Sequence, residues 1–347
     1  MATLAALLSA QTSLQAVAEW LTAQTPATKL ALGFEDGATP HQSTFQRLFA
    51  KLKVAPLEVA LSGYFDPKKA GVIRPRASEA VALDGKCLRG KLKFETPGAG
   101  MPLHLLSLFS LTTGVVLAQK VIEASKSEVS TAPPLLSQIR WEGRVITGDA
   151  AFCHKKLCKQ VVEAGGDYFF VVKANQPTLQ AEAELVFDTS VLPAGLKFDL
   201  RYCKELDKGH GRVEIRQARA TEELGILSHW PYLSQVVQIQ RDWLEKNQPH
   251  TYVSYAITSL PAEIANVADL LTLKRSHWAI ENQLHWVRDM VFGEDGSLMR
   301  CGEGPFVMAA LRNSAIGLLR RAGHHKITYR LRYNACKIEE VLRLLAL

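Results

Sequence analysis

Between residues 77 and 187 the chain alternates short runs of aliphatic and aromatic residues with amphipathic stretches, and two of those runs stop at an aspartate. Val81–Asp84, Leu103–Leu111 and Val115–Ile122 read as strands, the last two joined by Thr112-Thr113-Gly114, a hairpin signal. Pro133–Ile139 then reads as a helix, Arg144–Thr147 as a strand and His154–Ala164 as a helix closed by Gly165-Gly166. Tyr168–Lys173 reads as a strand, and Pro177–Phe187 as a helix with proline in its first turn. Strands interleaved with helices in this way require an α/β layering, with helices covering a sheet.

Three strands, a helix, a strand, a helix and a strand is the order of an RNase H-like core. In that order the first and fourth strands are neighbours, which would bring Asp84 and Asp149 together across 65 positions of sequence. Residues 1–72 read as an all-helical domain and a candidate DNA reader. There Ser13 caps Leu14–Ala23, Ser43-Thr44 opens a helix carrying Phe45, Leu48, Phe49 and Leu52, and Pro56 starts a third that ends near Gly63. The catalytic domain is then expected over 77–347. Within it Val213–Ala218, Gln235–Arg241 and Thr251–Thr258 alternate like strands, so about 190–260 is read as a β-rich insertion placed before the catalytic helix. Ile264–Leu273, His277–Phe292, Pro305–Arg321 and Ile338–Leu345 read as helices.

The chemistry rests on three acids. Asp84 and Asp149 each close an apolar run, and Glu281 sits in the helical stretch His277-Trp278-Ala279-Ile280-Glu281-Asn282. Hard carboxylate oxygens from separate elements suit Mg²⁺ or Mn²⁺. Two such ions can activate an attacking oxygen and stabilise the leaving oxygen of a phosphodiester. His277, Glu281, Leu284 and Arg288 recur at offsets 0, 4, 7 and 11, so they are expected along one helix face, with His277 and Arg288 as candidate DNA contacts beside a metal-binding Glu281. Zinc held by His277, Glu281 and His285 is a rival, although it leaves both aspartates without a purpose. Lys86, Arg89, Lys173 and Asn175 lie at or just beyond strand ends, and His210 and Arg212 within the insertion, as candidate DNA contacts.

The formal charge of +7 is unevenly placed: Met299–Lys337 holds eight basic residues against the single acid Glu303. Arg320 and Arg321 are therefore candidate phosphate contacts, since a localised basic face attracts a polyanion. Six cysteines at irregular spacing read as reduced thiols, and no apolar run is long enough to span a membrane. The expected compartment is the cytoplasm.

Several stretches resemble the H-repeat-associated transposases, a branch of the bacterial insertion-sequence DDE transposases. They are Leu83-Asp84-Gly85-Lys86-Cys87-Leu88-Arg89-Gly90, Gly148-Asp149-Ala150, Lys173-Ala174-Asn175-Gln176-Pro177, His210-Gly211-Arg212-Val213-Glu214 and His277 through Trp286. Departures at Lys91, Ala174 and Gly296 leave the acids in place. The resemblance implies a transposase that binds terminal inverted repeats, with Asp84, Asp149 and Glu281 as catalytic metal ligands and Arg288 as the basic position after the glutamate. It also implies double-stranded DNA partners (element ends and target), a homodimer in the synaptic complex, and association with the nucleoid when bound. A transposon-derived DNA-binding protein that no longer cuts, and an RNase H-like nuclease, are the alternatives.

Overall fold

The computed structural model describes residues 1–66, 79–88, 103–188, 199–209, 212–245 and 248–347. Five helices come first: α1 (Ala2–Leu8), α2 (Leu14–Thr22), α3 (Pro26–Ala31), α4 (Gln42–Lys51) and α5 (Val54–Phe65). Ser13 caps α2 as expected, its hydroxyl accepting from the Ala16 N–H at 3.1 Å. Helix α4 starts ahead of Ser43, because the His41 ring Nδ1 serves as the cap and accepts from the Ser43 N–H at 3.2 Å.

Strands β1 (Glu79–Leu88), β2 (Leu103–Ser110) and β3 (Val116–Ile122) follow, then α6 (Glu128–Leu136), β4 (Arg144–Gly148), α7 (Lys155–Glu163), β5 (Asp167–Val172) and α8 (Pro177–Val186). The strand–helix order therefore matches the reading from sequence. Four long strands come next: β6 (Arg201–Gly209), β7 (Arg212–Thr221), β8 (Gln235–Glu245) and β9 (Gln248–Thr258). The chain closes with α9 (Val267–Ser276), two π-helical turns at Glu281–His285 and Val287–Val291, α10 (Gly304–Arg321), α11 (Ile327–Ala335) and α12 (Ile338–Leu344). Among the described residues no helix is long and apolar enough to cross a membrane.

The chain divides into two compact units, and β1 contributes residues to both. One unit comprises Ile73–Asp84 and Ala132–Trp278. Its strands run in the order β1, β4, β5, β9, β8, β7, β6, with β1, β4 and β5 parallel and every later pair antiparallel. The β-rich stretch is thus no separate body: β9 pairs with β5, and the hairpins extend the same sheet. Helix α9 covers this extension, burying Leu270 and Leu271 against Ala218, Val237, Ile239 and Ala256. Each leucine contributes on the order of 2 kcal/mol by leaving water. Helix α7 ends at Gly165, whose φ of +84° places it in the left-handed region, and the Gly166 N–H reaches back to the Val161 carbonyl at 3.0 Å.

The other unit comprises Met1–Val72, Gly85–Thr131 and Ala279–Leu347, so the first 72 residues share it with the C-terminal helices. Helix α10 is buried on nearly every side, with α1, α4, α5 and β3 packed around it. A polar core accompanies it. Gln119 Nε2 donates to Glu58 at 2.8 Å, while its Oε1 accepts from Asn313 at 2.9 Å and from Arg288 and Ser107 at 3.2 Å. Burial pushes the Glu58 carboxyl up to about 7, against the pull of Gln119 and Arg288.

Candidate active site

Strands β1 and β4 pair in parallel with Leu83 opposite Gly148, so Asp84 and Asp149 are the next residues on each. The fourth strand lies beside the first as the sequence order required, but only Asp149 follows a strand end: β1 runs on to Leu88, past the end at Asp84 expected from sequence, so Asp84 sits within it at the level where its pairing with β4 stops. Asp84 is half-buried and Asp149 exposed. Asp149 Oδ1 accepts from the Ala151 N–H at 2.9 Å and caps a short 3-10 turn, which fixes its carboxylate at the strand end. The loop after β5 is tied to this turn. Asn175 donates to the Ala150 carbonyl at 2.7 Å and Gln176 to the Cys153 carbonyl at 3.1 Å. Asn175 therefore ties this loop to the turn that carries Asp149 while its side chain stays exposed.

Lys173 projects from the end of β5, and Lys274 from the last turn of α9. With Thr147, Gly148, Asp149 and His277 they line a cavity of about 50 Å³. The Thr147 hydroxyl and His277 Nδ1 share a hydrogen bond at 3.0 Å. Burial, followed by the nearby Lys274 charge, brings His277 down to about 4, so its imidazole is neutral at physiological pH.

A family model described as "Transposase DDE domain" matches residues 75–318, a span that includes both aspartates and Glu281. The chain belongs to the DDE transposase family. Over 277 residues it is 31% identical to "Putative transposase YncI" of Escherichia coli O157:H7, covering 76% of this chain and 69% of that protein. Over 252 residues it is 31% identical to "H repeat-associated putative transposase YhhI" of Escherichia coli strain K12, covering 70% of this chain and 64% of that relative. The chain thus spans about two thirds of the length of these relatives. The structure of a piggyBac transposase synaptic complex with hairpin DNA aligns with a TM-score of 0.39 and 12% identity, over 78% of this chain and 54% of that one.

The third acid of this DDE-family chain, Glu281, belongs to the helical unit, in a π-helical turn. Its carboxylate accepts from His285 Nδ1 at 3.1 Å, and its side chain is 57% exposed where that of His285 is 4% exposed. Burial, then Arg288, pushes His285 below its usual range, so this contact is a hydrogen bond from a neutral ring. The single face expected from 3.6-residue spacing is not formed. Glu281 faces solvent, whereas Leu284 and Arg288 are fully buried. A π turn shifts the side chains that follow it around the axis, so α-helical offsets cease to mark one stripe.

Several expected DNA contacts have other duties. Arg288 donates to both Glu294 oxygens at 2.9 Å, and Arg312 adds a third bond at 3.1 Å. Burial alone would raise the Glu294 carboxyl, but Arg288 and Arg312 hold it below the usual range. Lys86 is buried on Asp289 at 2.6 Å. Arg320 is buried and donates to the backbone carbonyls of Gly114 and Gln283. Arg288, Lys86 and Arg320 are thus spent inside the protein, as is Arg312. Arg321 remains exposed, stacked over Tyr64 and bonded to its carbonyl at 2.9 Å. Arg89, His210 and the side chain of Arg212 lie outside the described residues.

The sequence reading missed Lys274 and the place of Gly85. A Cβ on Gly85 would meet the Glu128 carboxylate, the movable end of a side chain, and Gly85 lies within β1 where a turn was one reading. The donors on these neighbouring strands suit a hard divalent ion. Asp84 and Asp149 supply carboxylate oxygens, while the Cys153 and Cys158 thiols of the same unit are buried and pushed up, the latter to about 12. Thiolate-bound metal is disfavoured there. In the zinc alternative, His277 and His285 fall in different units and each has Nδ1 engaged, by Thr147 and Glu281 respectively.

Proposed function

We propose that this DDE-family chain is the transposase of an insertion sequence, cutting DNA at the element's terminal inverted repeats and joining the freed 3′-hydroxyl to target DNA in the cytoplasm. The observation that carries the reading is the parallel pairing of β1 with β4, which sets Asp84 and Asp149 at one level on neighbouring strands in a chain of this family. Asp84, Asp149 and Glu281 would hold Mg²⁺ or Mn²⁺, two ions in the reaction. When bound, these supply Lewis-acid stabilisation of the phosphodiester oxygens.

The protein's own contribution is positional. The Asp149 cap bond and the Asn175 and Gln176 anchors keep one carboxylate from wandering, and preorganisation of this kind accounts for much of the rate in phosphoryl transfer. Lys173, Arg321 and neutral His277 would meet the DNA, with Arg89, His210 and Arg212 assigned to it by their motifs. A homodimer would pair the two element ends, and residues 1–72 would take part in reading them.

The test is Glu281→Gln on DNA bearing the element's own end. The exchange keeps size and helix propensity nearly unchanged but replaces a carboxylate with a weaker neutral ligand. Mg²⁺-dependent nicking should vanish while end binding persists. Nicking at the wild-type rate would remove Glu281 from the site. Nicking by the wild type without strand transfer would favour a nuclease, and binding without nicking a DNA-binding protein that no longer cuts.

A further inference from the structure

We infer that Lys173 and Lys274 form a phosphate-holding pair beside Asp149, gripping the DNA backbone next to the cutting site. The inference rests on the reading above and extends it to Lys274. On consecutive parallel strands Asp84 and Asp149 share a level with Val171 of β5, so Lys173 lies two residues past the row of the two acids on the same side of that strand. Lys274 reaches that row from α9, whose position is fixed by the buried Leu270 and Leu271.

The cavity they share suits a single small anion. Its volume of about 50 Å³ corresponds to roughly three or four water positions, the scale of one phosphate group and too small for a base. Its charged lining is two ammonium groups against one carboxylate, with His277 neutral. Among the described residues neither lysine forms an ion pair. A half-buried ammonium beside a second one is relieved by an anion that accepts from both, and charge-assisted bonds to phosphate oxygens do this well. A solvated surface lysine would have no reason to sit half-buried beside a like charge.

The test uses the full chain in EDTA, so that binding is separated from cutting, with a labelled duplex carrying the element end titrated at several salt concentrations. Lys274→Gln should bind about tenfold more weakly than wild type. Its logarithmic salt slope should fall by about 0.9, the value for one lost phosphate contact. Lys274→Arg should keep both. Lys173→Gln, on an exposed strand end where folding is not at stake, should repeat the loss. A Lys274→Gln slope equal to wild type, in a chain that still cuts DNA with Mg²⁺, overturns the pair and leaves the transposase reading standing. Loss of slope in a chain that never cuts supports the pair and overturns the catalytic reading. Thermal stabilisation by inorganic phosphate that needs Lys274, with DNA binding unaffected by the variants, assigns the pair to free phosphate and overturns the backbone role.

Discussion

Arg288 has no exposed surface and makes three hydrogen bonds, two to Glu294 and one to Gln119. Replacing it with methionine fills much of the same space but leaves Glu294 buried with Arg312 alone. Breaking a buried pair from one side costs about 3–5 kcal/mol. Arg288→Met should therefore lower the melting temperature by several degrees, while the salt slope of DNA binding by the folded protein stays as in wild type. The reverse pattern would return Arg288 to the DNA. The sequence placed this arginine on the face of Glu281 because spacing was counted at 3.6 residues per turn, and nothing in residue identity announces a π turn. Asp84 and Asp149 were legible for a different reason. An acid that ends an apolar run is marked by the change of composition itself. Lys274 carried no such mark, since a lysine in the last turn of a helix reads as a charge complementing the helix dipole.

Helix α9 deserves its own test because it carries Lys274 and lies on the extended sheet. Its start is a capping box: Asn266 Oδ1 accepts from the Ala268 and Asp269 N–H groups at 2.9 and 3.1 Å, and Asp269 returns a bond to the Asn266 N–H at 3.0 Å. Asn266→Ala should cost about 1 kcal/mol, seen as a lower denaturant midpoint with an unchanged slope. An unchanged midpoint would mean that packing alone sets the start of α9. Most elements were readable from periodicity, yet the exceptions share a cause. Strand β6 went unread because its inward positions include Glu205 and Asp207 where apolar residues would be expected. Arg275 bonds both at 2.7 and 2.8 Å, and Arg216 reaches Asp207 at 2.9 Å, so ion pairs replace the apolar alternation. In α6, Pro133 and Pro134 suggested a helix start, but the helix begins at Glu128 and they fall in its last turns.

At the scale of the whole chain, the formal charge of +7 misdescribes what a polyanion would meet. Of the eight C-terminal cations, Arg312 and Arg320 are buried and Arg330 is paired with Glu340 at 2.8 Å, whereas Arg321 and Arg332 are exposed. Replacing Arg321 and Arg332 together should flatten the salt slope of DNA binding by up to about 1.8, and replacing Arg320 should lower stability with no change of slope. Equal effects from all three would mean that burial does not sort them. Such sorting lies beyond sequence, because the carbonyls that claim Arg320 belong to Gly114 and Gln283, far from it in the chain. The division into units also has a consequence for the order of synthesis. The unit carrying Asp84 and Asp149 is complete once residue 278 has been made, whereas the helical unit waits for α10 to cover the apolar sides of α1 and α5. Glu281 emerges just after that boundary. A ribosome-bound chain can therefore finish the sheet that presents two acids while the helices made first still await their central partner, and the third acid arrives only after residue 278.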